Sequence, residues 1–334
     1  MKSWFIERYG PPAQSLALRE APSPTPGPGD VAVRVEAVAL NPVDHKAVLG
    51  ESKMILPMKP PFVVGVDFAG FVEALGEGVR DLSVGDAVIA YTGMARMGAF
   101  AERVIVPATM LGRPPAGWSM AEAATLPLPA LCARQALDAA GVGAGQSVLI
   151  HGGAGGVGSV AVRIAAARGA RITATVGARD LERVRALGAA VAIDYTAQRF
   201  EEIARDQDAV FDTVGGDTLA RSFSVVKRGG VVVSLHGAPS MEAMNAAGLR
   251  PPWLLGLLLP LVGWGTSTKA NAAGARFLPQ VTVPDGAALT EVARLDLARP
   301  VIDRTFPFTE LPAAFARLAS GEARGRVCLT LSDA

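Results

Sequence analysis

The sequence predicts a two-domain α/β protein, in which a mostly β domain with barrel-like closure is joined to a doubly wound parallel sheet covered by helices. Three observations carry this. The chain has 334 residues, more than one hydrophobic core comfortably organises. Up to about residue 115 it reads as short apolar strands separated by Pro/Gly breakers. From Gln146 onward strands alternate with helical stretches, the pattern of a parallel sheet with helices on both faces.

Taken in order, the strand-like segments are SWFIERYG, the alternating VAVRVEAVAL, FVVGVDFAGFVEALG, GDAVIAY and AFAERVIVP, with the turn-rich PSPTPGPGD between the first two. The period changes near Ser119, where Ser119-Met120-Ala121-Glu122 has the spacing of a capping box that opens a helix. QSVLIH, RITATV, AVAIDY, AVFDTVG and VVVSLHG follow as strands of the second domain. After about residue 275 the chain returns to strand-like ARFLPQVTV, PVIDRTFPF and RVCLTL, with a helix over Leu311 to Ser320. RVCLTL is expected to pair back into the first domain. The domains are therefore 1–118 with 276–334, and 119–275 inserted between them.

The most informative motif follows QSVLIH. Gly152-Gly153-Ala154-Gly155-Gly156-Val157-Gly158 leads into a helical run, with RITATV where a βαβ unit needs its next strand. Gly153, Gly155 and Gly158 fit the dinucleotide fingerprint of a Rossmann domain: a tight turn, close approach of backbone amides to a diphosphate, and close helix–strand packing. The diphosphate would rest on the helix N-terminus, so Gly153 to Gly158 are candidate cofactor residues. An NAD site expects a carboxylate near the end of the second strand. Here the strand runs into Gly177-Ala178-Arg179-Asp180 instead, and a guanidinium suits a 2′-phosphate. NADPH is the expected cofactor. The alternative is that Asp180 caps the following helix and Arg179 is a solvated first-turn residue.

Composition narrows the class further. With 32 basic and 31 acidic residues the net charge is +1, which makes no electrostatic case for nucleic acid or an anionic membrane. Cys132 and Cys328 are the two cysteines, far apart, so neither a disulfide framework nor a structural zinc cluster is expected, and a reducing cytoplasm fits. No signal-peptide pattern is read at MKSWFIERYG. The longest apolar stretch, Trp253 to Gly265, is too short to span a bilayer and contains Pro260.

The order of motifs resembles the zinc-independent quinone oxidoreductase and alkenal/enone reductase branch of the medium-chain dehydrogenase/reductase superfamily. The resemblance is carried by Asn41-Pro42-Val43-Asp44, Gly65 to Gly70 (GVDFAG), Gly85-Asp86-Ala87-Val88, Ala124-Thr125-Leu126-Pro127, the Gly153 to Gly158 turn and Phe211 to Gly216 (FDTVGG), and covers nearly the whole chain. It implies a GroES-like β-barrel catalytic domain with a Rossmann NADPH domain. It also implies hydride delivery to a quinone or to the activated C=C of an α,β-unsaturated carbonyl.

Zinc-bearing relatives have Cys-x-x-Asp and Gly-His-Glu where this chain has Asn41-Pro42-Val43-Asp44 and Gly65-Val66-Asp67. An aliphatic side chain cannot bind Zn²⁺, so no catalytic metal is expected. Without a Lewis acid, reduction of an electron-poor double bond is the better reading, since it needs NADPH, an oriented acceptor and a donor near the oxygen that gains charge. Asn41 is the first candidate donor, against a purely loop-tying role. Lys46 and Tyr91 are candidate proton donors, against surface and strand-end roles. Several relatives have a tyrosine in the loop Gly50 to Leu56 that this chain lacks, so water is a further proton source.

The resemblance further implies that Tyr195 flanks the 2′-phosphate beside Arg179, and that Ser234-Leu235-His236-Gly237 approaches the nicotinamide, adding Leu235 and His236 to the cofactor residues. Cys132 is read as a packing residue. A homodimer is expected from pairing of VVVSLHG as an edge strand. The segment Pro251 to Gly265 is expected either to line an apolar substrate pocket with Met54, Met58, Met94 and Met97, or to lie in an interface. An enoyl-thioester reductase and a non-catalytic NADPH-binding protein are the competing functions.

Overall fold

Valines alternating along Asp30–Ala39 (β3) build the centre of the first domain, because a β-branched residue at every second position fills one face of a pleated strand. The computed structural model of the chain describes residues 1–331. Before β3 lie Lys2–Ile6 (β1), the short helix Pro12–Ser15 (α1) and Leu16–Glu20 (β2), a strand the sequence does not announce, paired antiparallel with β1. The Pro/Gly-rich stretch 21–27 forms no regular element. After β3 come Pro42–Leu49 (α2), Phe62–Val63 (β4), Asp67–Leu75 (β5), Ala87–Tyr91 (β6) and Arg103–Pro107 (β7).

β3 pairs with β5 along one side, while its other side takes β7 over its first half and the C-terminal strand over its last residues. Register shifts at Ala32/Val33 and Val35/Ala37 accompany that change of partner, since a bulge bends a strand and increases its twist. This double use of β3 gives the barrel-like closure.

Ser119 accepts a hydrogen bond from Glu122 N at 3.2 Å and donates its own N–H to Glu122 Oε2 at 2.7 Å, the expected capping box, opening Met120–Ala124 (α3). α3 still packs on β3 and β5, so the crossing into the second domain begins with Pro127–Ala139 (α4), which packs on the nucleotide-turn helix. The second domain then runs Ser147–His151 (β8), Gly156–Ala167 (α5), Arg171–Val176 (β9), Leu181–Ala186 (α6), Val191–Asp194 (β10), Phe200–Ile203 (α7), Gln207–Asp212 (β11), Gly216–Ser222 (α8) and Val226–Ser234 (β12). Met241–Ala246 (α9), Leu255–Ala273 (α10) and Arg276–Pro279 (β13) complete it.

All pairings in this sheet are parallel, in the order β10-β9-β8-β11-β12-β13. Two expectations are corrected here. β12 lies inside the sheet between β11 and β13, so VVVSLHG has no free edge; the edges are β10 and β13. ARFLPQVTV contributes β13 to the nucleotide sheet, so the second domain continues past 275 through Pro279. The first domain resumes with Gly286–Ala293 (α11), Ile302–Pro307 (β14), Leu311–Ala319 (α12) and Arg326–Thr330 (β15), and β15 pairs antiparallel with β3 as expected. The final three residues of the expected range 276–334 lie outside the described residues.

Candidate functional site

Strand order reverses between β8 and β11, and in open α/β sheets ligands bind at the carboxyl ends of strands at such a switch point. The glycine turn sits there. Gly153 N donates to Thr175 O and Gly155 N to Gly152 O, both at 2.9 Å, closing the turn. A methyl group on Gly153 would meet Ala174 Cβ at 2.8 Å, and one on Gly158 would overlap the Gly152 carbonyl. These two glycines are packing requirements. Gly155 and Gly156 are exposed, and no side chain caps α5 at its N-cap Gly155, which leaves first-turn N–H groups for an anion.

The cleft over this turn has a volume of about 710 Å³. Leu40, Pro42, Thr125 and Leu126 line one end, Ala154 to Gly156 the middle, and Gly177, Arg179 and Tyr195 the other. Arg179 has 70% of its side chain exposed, with Nε 3.5 Å from Asp180 Oδ2. Asp180 stands at the N-cap of α6 without a side-chain cap hydrogen bond, and Arg179 is solvated, so the alternative reading of this dipeptide is met in its second part. Tyr195 stands 64% exposed across from Gly177.

The sequence reading did not single out Arg183, Arg324 and Arg326, which also line the cleft. The last two come from the loop and strand that return from the far end of the chain. Their one signal is position: a C-terminal strand that pairs into the first domain must enter beside the cleft.

Arg326 anchors a buried polar cluster. Its Nη2 donates to Asn41 Oδ1 at 2.6 Å, Asn41 Nδ2 donates to Asp67 Oδ2 at 2.9 Å, and Asn41 N donates to Asp44 Oδ2 at 2.8 Å. Asp67 also accepts from Leu128 N at 3.0 Å, on the first turn of α4. Burial pushes the carboxyl of Asp44 up to about 8 and that of Asp67 up to about 7, with Arg326 acting against the rise in both. A methyl group on Gly156 would lie 3.4 Å from Arg326 Nη1, so the guanidinium spans from this cluster to the glycine turn.

Of the candidate donors, Asn41 is buried and its amide hydrogens are directed to Asp67 and, at 3.4 Å, to Ala39 O. This is a correction to the expected donor: the Asn41 amide ties the loop and holds Arg326. Tyr91 is a further correction. It is buried outside the cleft lining, and its phenol is raised well above 10 by burial, then by Cys132 and Asp67, with the Met94 backbone as an opposing partner. Lys46 is exposed on α2, four residues beyond cleft-lining Pro42 on the same helix face, and like Tyr91 it is not itself among the residues lining the cleft.

The buried Cys132 thiol pairs with Thr282 Oγ1 at 2.9 Å, and burial pushes it up to about 12, so it is inert as a nucleophile. His151 is neutral, its proton affinity lowered by burial, between Thr175 Oγ1 and Ser222 Oγ at 3.1 Å each. Asp212 accepts from Ser234 Oγ at 2.6 Å and from Gly215 N at 3.0 Å, fixing the turn that carries Leu235 and His236 at the end of β12. His236 is exposed, with Nε2 3.3 Å from Thr213 O, and neither Leu235 nor His236 lines the cleft. The pocket expected from 251–265 with the methionines does not line the cleft: Met97 is buried, Met54 is exposed, and Leu257, Leu258, Leu261 and Val262 of α10 face outward while Leu255 and Leu259 pack on the core.

A GroES-like barrel joined to a doubly wound sheet, with an anion-ready glycine turn in the cleft between them, defines a dinucleotide-binding oxidoreductase architecture. The family described as Alcohol dehydrogenase GroES-like domain matches residues 27–116, and that described as Zinc-binding dehydrogenase matches 187–329. The chain is 33% identical to the 2-methylene-furan-3-one reductase of Solanum lycopersicum, over 98% of this chain and 79% of that one. It is 32% identical to the chloroplastic NADPH-dependent alkenal/one oxidoreductase of Arabidopsis thaliana, over 98% and 78%. The solved quinone oxidoreductase of Coxiella burnetii aligns with a TM-score of 0.81 at 30% identity, over 99% of both chains. The chain belongs to the quinone oxidoreductase and alkenal/one reductase branch of the medium-chain dehydrogenase/reductase superfamily.

The zinc in one family description does not fit these residues. Val66 offers no donor atom, the Asn41 amide is engaged, and among the described residues no group of three or more His, Cys, Asp or Glu is placed to hold a metal.

Proposed function

We propose that this protein is an NADPH-dependent reductase that delivers hydride to a quinone or to the activated C=C of an α,β-unsaturated carbonyl without zinc. The observation that supports this most directly is the uncapped α5 N-terminus beneath a cleft lined by Arg179, Arg183, Arg324 and Arg326. Gly153, Ala154, Gly155, Gly156, Val157 and Gly158 would receive the diphosphate, with Arg326 beside it. Arg179 and Tyr195, joined by Arg324, would hold the 2′-phosphate, and the backbone at Leu235 and His236, outside the cleft lining itself, would approach the nicotinamide end. When bound, NADPH supplies the hydride.

The apolar end at Leu40, Pro42 and Leu126 would exclude water and seat an apolar carbonyl or quinone. We assign Lys46 to the rim as the cation that faces the oxygen gaining charge, with its proton replaced from solvent. Asn41 is a positioning residue for Arg326. Tyr91, buried outside the cleft, takes no part.

The same reading includes a homodimer, now through the free edge of β13, and a reducing compartment such as the cytoplasm. Among the described residues no helix is long and apolar enough to cross a membrane. A panel of quinones, alkenals, enones and enoyl-CoAs, each followed by NADPH absorbance before and after exhaustive chelation, tests the function. Turnover of quinones or enones that survives chelation is expected. A stoichiometric zinc by elemental analysis, or turnover of thioesters alone, would overturn it.

A further inference from the structure

A single buried imidazole lies under the floor of the cleft. His151 closes β8 immediately before the glycine turn, pairs in register with Thr175 on β9, and has none of its surface exposed. Its Nδ1 is 3.1 Å from Thr175 Oγ1 and its Nε2 3.1 Å from Ser222 Oγ at the end of α8, while its carbonyl accepts from Thr213 Oγ1 at 2.8 Å. Three segments that face the cleft therefore meet on this one residue, since Gly152, Val176, Gly177 and Thr213 all belong to the cleft lining.

Proton counting fixes the direction of each hydrogen bond. Ser222 Oγ donates its one hydrogen to Thr218 O at 2.8 Å, so it can only accept from the ring, and the imidazole hydrogen is on Nε2. Nδ1 is then an acceptor, to which the Thr175 hydroxyl donates. That leaves the Thr175 oxygen to accept from Gly152 N at 3.3 Å, while Thr175 O accepts from Gly153 N at 2.9 Å. Burial keeps the ring neutral, as this chain of bonds requires; of the charges around it, Asp212 and Glu201 favour the imidazolium and Arg221 opposes it. Gly152 has a φ of +68°, and a methyl group on it would meet Thr213 Oγ1 at 2.7 Å. A glycine is free to leave that left-handed region, so the entry to the turn keeps its shape only while its amides are held.

We propose that His151 is a positioning residue for the cofactor: through Thr175 it holds the Gly152 amide at the entry to the turn that receives the diphosphate, and through Ser222 and Thr213 it ties that turn to the β11–α8 connection. An apolar side chain of similar volume would fill the space beside Phe200, whose ring meets the imidazole edge-on with centroids 4.6 Å apart. It would leave the Thr175 hydroxyl hydrogen without an acceptor, and the Gly152 amide would lose the fixed oxygen that it donates to. This role rests on the glycine turn being the diphosphate site. Diphosphate is shared by NADPH and NADH, so the effect falls on both cofactors, unlike that of Arg179.

Calorimetric Kd values for NADP⁺ and NADH across a set of variants test it, with Tm as the check on folding. His151→Leu is expected to weaken both by about fivefold or more. His151→Asn, whose Oδ1 takes the place of Nδ1 and restores the acceptor for Thr175, should recover most of the loss. His151→Gln, whose amide reaches toward Ser222 instead, should not. Thr175→Val breaks the same chain with the histidine intact, and adding it to His151→Leu should cost little more. With isotope-labelled histidine, nitrogen NMR should show a neutral ring carrying its hydrogen on Nε2, with a signal that is lost in His151→Asn and shifts when NADP⁺ is added. Should His151→Leu not fold, Thr175→Val and the spectrum decide alone. Unchanged affinity in the folded variants, recovery by His151→Gln rather than His151→Asn, or a hydrogen on Nδ1 overturns the proposal. A wild-type chain that binds neither dinucleotide removes the diphosphate site itself, and this role with it.

Discussion

Arg326 Nη2 donates to Asn41 Oδ1 at 2.6 Å across 285 residues of sequence, placing a guanidinium from the last strand between the α2 loop and the glycine turn. The bond orients Arg326. Diphosphate is common to both nicotinamide cofactors. Arg326→Met is therefore expected to weaken NADPH and NADH alike, by about 10- to 150-fold, from the roughly 1.5–3 kcal/mol of a charge-assisted hydrogen bond. Titration calorimetry with both cofactors checks this, and Arg326→Lys should recover part of the loss.

Arg179 and Arg324 line the same end of the cleft, one from each domain, where the proposed function puts the 2′-phosphate. Arg179→Ala should cost NADPH affinity about tenfold or more and leave NADH unchanged. Arg324→Ala should act in the same direction. Equal losses for both cofactors, measured as Kd, would remove these residues from the 2′-phosphate.

The glycines of the turn divide by role. Gly158→Ala forces a methyl group into the Gly152 carbonyl and should lower Tm by several degrees as well as abolish cofactor binding. At Gly156 a methyl group has 3.4 Å to Arg326 Nη1. Gly156→Ala should thus keep the fold, seen as an unchanged Tm, and weaken cofactor binding.

Asp67 and Asp44 carry a pH signature. Their carboxyls are raised by burial to about 7 and about 8, against about 3.9 in an unfolded chain. Between those limits the folded state binds more protons than the unfolded one, so stability falls as pH rises from about 4 to about 8 and levels off beyond. Asp67→Asn should flatten the decline of Tm between pH 5 and pH 8; an unaltered slope would place the titration elsewhere.

Lys46 occupies the face of α2 that continues from Pro42. Lys46→Met is expected to lower kcat for enones by about 10²-fold or more, the scale of lost acid–base assistance, with the Kd of NADPH unchanged. Stopped-flow hydride transfer separates the two, and loss of cofactor binding instead would assign Lys46 to the cofactor.

Local signals in the sequence are enough for the glycine turn, the capping box at Ser119, the alternation of strands and helices and the strand character of RVCLTL; that its partner is β3 came from the structure. Each depends on residues a few positions apart or on a hydrophobic period, and such preferences act before any tertiary contact forms. That Asn41 and Val66 stand where zinc-bearing relatives have ligands is legible only through the resemblance to the family.

Long-range packing decided the rest. β12 became an interior strand because Arg276–Pro279 pairs beside it, and no property of VVVSLHG records whether a neighbour will arrive. The Asn41 amide was taken out of reach of a substrate by Asp67, 26 residues away, and by Arg326, 285 residues away. Tyr91 was carried into the core by its pairing with Asp67, and α10 was turned so that only one of its apolar faces found the protein. Composition tells which side chains seek burial or a charge partner, whereas which partner each one meets is set by the three-dimensional path of the whole chain.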